Sequence, residues 1–268
     1  MWRRCWEGPA EVDEFVLVEE PGVWGADDDT DIEYIHQSIL DVNNRSIVTP
    51  EQIAEGWLKH IDGNRSIWVS NRAALNLMRK GILPPGTSNP GNNKDYDQID
   101  AQLTTGIFGL FAPARPDVAL KIAHLPIRTT AFTNAEWISE FYVIMHSLAS
   151  RVDPKLGMKE KTFWLAERAR KRLPAESFPA KMYDFVRNEY DRNPDKDDWE
   201  KTRDALHNRY VGKGKDTDGY KYRWHIDAGI NFGASLVSRR FVRVDGPARV
   251  VRRRPGRDRG DGRRSRPR

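Results

Sequence analysis

The chain has 268 residues, enough for one large domain with a substantial core or for two small ones. No stretch approaches the roughly 18 consecutive apolar residues of a membrane-spanning helix, no apolar h-region follows the basic N-terminus, and a single cysteine, Cys5, excludes an internal disulfide or a cysteine-rich zinc site. The formal net charge of +5 divides unevenly: residues 239–268 carry 13 Arg, no Lys and 3 Asp, a net of +10, and leave the rest of the chain at −5. These features describe a protein of a reducing compartment, with a cytoplasmic location expected.

Residues 1–20 resist assignment, and Glu19-Glu20-Pro21-Gly22 reads as a turn. A helical pattern starts at Asp28, where Ile32, Ile35, His36, Ile39 and Leu40 fall on one face, and it ends at Asn43-Asn44. Thr49-Pro50-Glu51 opens a second helix, with Thr as N-cap and Pro in the first helical position. Its buried face is expected to be Ile53, Ala54, Trp57, Leu58 and Ile61, with Gly63 closing it. A third helix is predicted over Ser70–Lys80, stopped by Gly81 and Pro84-Pro85-Gly86. Residues 86–97 form a long polar loop of the kind that carries function in a compact domain.

Further helices are predicted over Ile99–Phe111, Asp117–His124, Ala135–Arg151, Lys159–Leu173, Pro179–Tyr190 and Asp197–Tyr210. Phe241–Val244 and Arg249–Val251 are short strand candidates. The expected fold is all-α, a compact orthogonal multi-helix bundle over residues 21–237. Residues 238–268 are expected to be a disordered tail, since their Arg, Gly and Pro bias has no periodicity.

The chemistry concentrates at Asp27-Asp28-Asp29-Thr30-Asp31, four carboxylates in five residues at a helix start. Such charges repel unless a positive partner sits among them. The helix N-terminus supplies part of it and a hard divalent cation far more. A solvated, over-capped helix start is the bland alternative. An EF-hand is excluded, because Ile32 stands where the turn glycine belongs and Ser38 where the bidentate Glu belongs. The aspartate-rich motif of isoprenoid synthases matches Asp27-Asp28-x-x-Asp31 formally, but no second such motif follows. His36 and His146, on or beside apolar helix faces, read as core or boundary residues.

The stretch Gly25-Ala26-Asp27-Asp28-Asp29-Thr30-Asp31-Ile32 resembles the Thr-Asp-Asp-Thr signature of the ADP-ribosylglycohydrolase family, relatives of dinitrogenase-reductase-activating glycohydrolase. The resemblance continues through Thr49–Ile53, Trp68–Ala73, Ile99–Thr105, Ile107–Pro113, His124–Thr130 and Gly229–Ser235, and so spans roughly residues 21–237. It implies hydrolysis of the glycosidic bond between ADP-ribose and a protein side chain or a small acceptor. It also implies two Mg²⁺ or Mn²⁺ ions in the family, with one or none here. A pair of ions about 3.5–4 Å apart activates water and neutralises developing charge.

By that resemblance Asp27, Asp28 and Asp29 are the metal ligands, with Asp28 and Asp29 catalytic; Asp27 replaces the family threonine. Asp100, Gln102 and Arg128 are the implied substrate-binding residues, with Asp100, Ala101 and Gln102 standing where the family has glycines. The family's small-residue helix before the signature and its late Asp-x-Asp-Thr/Ser motif have no counterpart here, which points to a truncated start and a frameshifted or divergent end after about residue 237. The expected partner is an ADP-ribosylated protein or an ADP-ribose-containing small molecule, with no membrane. A catalytically impaired remnant of the family is one alternative. A nucleic-acid binder acting through the Arg-rich tail is another, which the acidic body disfavours.

Overall fold

A computed structural model describes residues 27–62, 67–196, 198–212 and 216–241. The assignments made above for residues 1–20, Gly63, the two strand candidates beyond Phe241 and most of the Arg-rich tail lie outside those residues. Among them the architecture is all-α apart from one two-residue hairpin.

Helix α1 spans Asp28–Asn43. Asp27 caps it, its Oδ1 accepting the Thr30 amide at 3.0 Å, and Asn44 ends it in the left-handed region at φ 47°. Helix α2, Pro50–His60, carries a complete capping box: the Thr49 amide donates to Gln52 Oε1 at 2.9 Å and the Gln52 amide to Thr49 Oγ1 at 3.3 Å. Helix α3 spans Val69–Met78. These three helices enclose the smaller core, in which Ile32, Ile53, Trp57, Ala74 and Leu75 are fully buried. Leu58, expected inside, is exposed, because the buried stripe of α2 is narrow and runs through Ile53, Ala54, Gly56 and Trp57.

A short 3₁₀ turn at Gly86–Ser88 begins the polar loop. Asn93, fully buried, ties this loop down by donating to the Thr87 carbonyl at 3.1 Å and reaching the Ser70 carbonyl at 3.5 Å. The expected helix Ile99–Phe111 is two: α4, Asp100–Thr104, and α5, Ile107–Phe111. The break has a packing cause. A Cβ at Gly109 would lie 2.4 Å from the Val143 carbonyl oxygen and one at Gly106 2.8 Å from the His146 ring, so α5 presses its glycines onto a neighbouring helix.

Helix α6, Pro116–Thr130, continues six residues past the expected end. Pro126 lies within it, forfeiting one backbone hydrogen bond, while Ile127, Thr129 and Thr130 stay buried. Helix α7, Asn134–Leu148, is buried on nearly every face, the signature of a central helix. The larger core assembles on it from α5, α6, α8 (Met158–Arg170), α9 (Phe178–Arg192), α10 (Trp199–Tyr210) and α11 (Ala228–Phe241).

Helix α11 and the hairpin before it, β1 (Asp216–Thr217) and β2 (Tyr220–Lys221), are absent from the sequence-based expectations. Gly229 and Gly233 lower the helical propensity of α11 but are what lets it dock. A Cβ at Gly233 would lie 2.9 Å from Leu206 and from Met182. The helix also runs four residues past 237, into the segment expected to be tail. No described helix is long and apolar enough to cross a membrane.

Candidate functional site

The first turn of α1 carries Asp28 and Asp29 because Asp27 takes the capping role. Asp27 is exposed, and its bond to Thr30 holds its carboxyl below the ordinary value. Asp28 is half-buried and accepts the Trp68 amide at 2.9 Å, which fixes the start of α3 against the start of α1. Burial, outweighing that bond, raises its pKa. Asp29 is pushed up to about 7, first by burial and then by the charges of Asp28, Asp100, Asp27 and Glu33.

Asp100 opens α4 and is almost wholly buried, at 1% exposure. Neither of its carboxyl oxygens closes a hydrogen bond of ordinary geometry. Ser70 Oγ and the Asn71 backbone face it closely enough to temper its pKa, yet burial prevails and raises it. Asp100 also feels the charge of Asp28.

A cavity of about 200 Å³ opens between these elements, lined by Asp29, Trp68, Ile99, Asp100, Leu103 and Ile226. Two acids stand on one side and an indole and three aliphatic side chains complete the wall. Ile226 arrives from a segment far along the chain, and its carbonyl accepts the Ile99 amide at 2.9 Å. A buried network fastens that segment. Asp227 Oδ1 accepts Gln98 Nε2 at 3.1 Å, and Asp227 Oδ2 accepts the Arg223 amide at 2.6 Å. The guanidinium of Arg223 in turn bridges to Asp97.

The structure therefore brings Asp28, Asp29 and Asp100 to one place. Gln102, on the same short helix as Asp100, is half-buried and leaves its Oε1 without a hydrogen bond. Arg128 lies elsewhere: its guanidinium sits 3.7 Å from Glu136, donates to Ser88 Oγ at 3.3 Å and covers the Phe132 ring. His36 is buried against Trp57 and Phe108 and its pKa falls to about 4, as a core histidine's should. His146 binds the Gly106 carbonyl at 2.9 Å.

Two residues with no role assigned from sequence stand out. Ser70 and Asn71 are fully buried in the first turn of α3, where the Ser70 side chain faces Asp100 and the Asn71 side chain faces Asp28, each tempering the carboxyl beside it. The sequence carries a signal for Asn71. It occupies the i position of the stripe completed by Ala74, Leu75 and Met78, a core place where an amide is out of character.

The donor set around the cavity is all oxygen, with unneutralised negative charge, which suits a hard cation. Among the described residues no three His, Cys, Asp or Glu side chains cluster closely enough to hold an ion by themselves. An ion here would complete its shell with water or ligand oxygens, as Mg²⁺ commonly does. Comparisons with protein-family models, with curated proteins and with solved structures find no match to this chain.

Proposed function

We propose that the chain is a hydrolase of ADP-ribosyl glycosidic bonds, dependent on Mg²⁺ or Mn²⁺, with Asp28 and Asp29 as its reactive carboxylates. The observation that carries this reading is the convergence of Asp29 and Asp100, from two helix starts some seventy positions apart, on one cavity, with Asp28 close enough for its charge to act on both. Groups whose pKa is shifted by burial and by neighbouring like charges cluster at functional sites.

Asp28 and Asp29 would hold the ion, with Asp27 beside them at the helix start. Such an ion would polarise a water and neutralise charge developing at the sugar. The chain's own contributions follow from its geometry. Burial and the neighbouring carboxylates raise Asp29 to about 7 in the chain alone, and a bound cation would hold it ionised. Asp100, buried beside Ser70 and Asn71, would place its carboxyl at the cavity wall. The apolar wall of Trp68, Ile99, Leu103 and Ile226 lowers the local dielectric, so that a carboxylate stabilises an oxocarbenium-like centre more strongly.

Release of ADP-ribose from an ADP-ribosylated protein in the presence of Mg²⁺ tests the proposal. Asp28→Ala should lower the rate by about 100-fold or more, the scale seen when a charge-stabilising group is removed. Equal rates in the two proteins would sink it. The second reading is a catalytically impaired remnant that binds the metal at Asp28 with little turnover. That reading predicts Mg²⁺ binding abolished by Asp28→Ala with no ADP-ribose released by either protein.

A further inference from the structure

We infer that Gln98 is a positioning residue for the cavity: its buried side-chain amide, held at both ends by the segment that carries Ile226, sets the start of α4 and with it the place of Asp100. The inference rests on the proposed function in taking the cavity as the place of reaction, but the hold itself can be read without turnover.

Helix α4 cannot set its own position. It has five residues, well short of the roughly 12–15 below which an isolated helix is marginal in water. Ile99, at its N-cap, offers no side-chain acceptor to the first turn. Thr105, just past its end, has already left the helical region at φ −124° and ψ 2°. The missing constraint comes from far along the chain, where Asp227 pairs with Gln98 in an antiparallel bridge. The Ile99 amide donates to the Ile226 carbonyl at 2.9 Å, and the Ala228 amide to the Asp97 carbonyl at 3.0 Å. Ile99 and Ile226, joined by the first of these bonds, both line the cavity, and Asp100 follows directly. The bridge is thus the backbone of the cavity wall.

Two backbone bonds are a slender hold, and the Gln98 side chain completes it. Gln98 is buried, its Nε2 donating to Asp227 Oδ1 at 3.1 Å and to Asp97 Oδ1 at 3.3 Å, its Oε1 accepting from Trp224 Nε1 at 2.9 Å. Only one orientation of the amide fits. Turned over, its oxygen would face two carboxylates and its NH₂ would face the indole N–H. The two partners from the late segment are parts of one turn, because Asp227 Oδ2 accepts the amides of Arg223 and Trp224 at 2.6 and 3.3 Å. Trp224 is 40% exposed, so its ring packs only in part, and its N–H has a definite task in the bond to Gln98. Gln98 stands two residues before Asp100, so its orientation passes directly into the start of α4. Reacting groups displaced by about 1 Å can lose about 100-fold in rate.

The experiment measures ADP-ribose release with Mg²⁺ and the amide NMR spectrum of the full chain, at about pH 8 so that an introduced carboxyl is ionised. Gln98→Glu keeps the size but turns an acceptor toward Asp227 and Asp97. It should lower kcat by about tenfold or more with KM within about twofold, and shift the amide resonances of Asp100 and Leu103 but not those of α10. Adding Asp227→Asn to Gln98→Glu again sets a donor opposite an acceptor; it should return the resonances and bring kcat to within about threefold of wild type. Gln98→Met, of similar length and with no partner, serves if Gln98→Glu does not fold; it should show the same loss, and Asp227→Asn should not rescue it. A Gln98 that only stabilised the fold would leave kcat per folded molecule within about twofold of wild type. That result, unshifted resonances, or rescue of Gln98→Met overturns the inference. If no protein, wild type included, releases ADP-ribose, the hydrolase reading falls and the resonances decide: a shift that the double variant reverses upholds the positioning role, and no shift ends it.

Discussion

Asp100 and Asp227 lie at the same end of the molecule and are equally buried, at 1% and 2% exposure, yet they live opposite lives. Asp227 accepts from Gln98 Nε2, from the amides of Arg223 and Trp224 and from the Tyr220 hydroxyl, and the Arg223 guanidinium stands 3.7 Å away. Asp100 has only the Ser70 side chain and the Asn71 backbone to temper it, and burial outweighs them. A buried carboxylate surrounded by donors is a fastener, because its desolvation is offset within the fold. A buried carboxylate with few donors, beside a cavity, is destabilised in its charged form by its own burial.

The contrast breaks most visibly by removing the fastener. Asp227→Ala strands a buried hydroxyl, a buried amide side chain and two backbone amides, and should lower stability by about 3–5 kcal/mol in urea unfolding. A loss under about 1 kcal/mol would mean that the segment around Ile226 is held by something else. Asp100→Asn should act in the other direction, since it removes a carboxyl whose charged form burial disfavours while keeping the shape. A gain of about 1 kcal/mol is expected, which raises Tm by roughly 2–4 °C in a chain of this size. A fall in Tm at neutral pH would show that Asp100 has a partner in solution.

Acidity sharpens the same comparison. Asp29 has a folded pKa of about 7 against 3.8 for the ordinary side chain, so above pH 4 the unfolded chain releases its proton first and stability falls until about pH 7. His36 acts with the opposite sign: its pKa drops from 6.5 to about 4 in the fold, so its share of stability is present above 6.5 and is lost as pH falls toward 4. In chelator-treated buffer, Asp29→Asn should therefore convert a flat or falling Tm between pH 4 and 7 into a rising one. An unchanged profile would contradict the crowding of carboxylates at the cavity.

Much of this was written locally in the sequence. Thr49 as the cap of α2 and the stripe Ile32–Ile35–Ile39 follow from neighbours within one or two turns. What escaped depends on distance along the chain. The break between α4 and α5 follows from Gly109 meeting α7, and α11 follows from Gly229 and Gly233 meeting Phe178, Tyr220 and Leu206. Local propensity counts those glycines as breakers, whereas packing uses them as contact points. The crowding of carboxylates at the start of α1 was legible in the run itself, but the approach of Asp29 to Asp100 was not, because nothing in a sequence measures the approach of two helix starts. Asn71 left a faint trace as a polar residue in an apolar stripe, visible once its helix is placed.

The bridge between Gln98 and Asp227 spans 129 positions and has a consequence in time. Asp28, Asp29 and Asp100 leave the ribosome early, and at about 5–20 residues per second the segment that carries Ile226 and its fastener follows on the order of ten seconds later. Through that interval the nascent chain has its acids but no far wall to face them, so ligand binding at the cavity would report that synthesis has passed residue 227 and that the two ends of the chain have met.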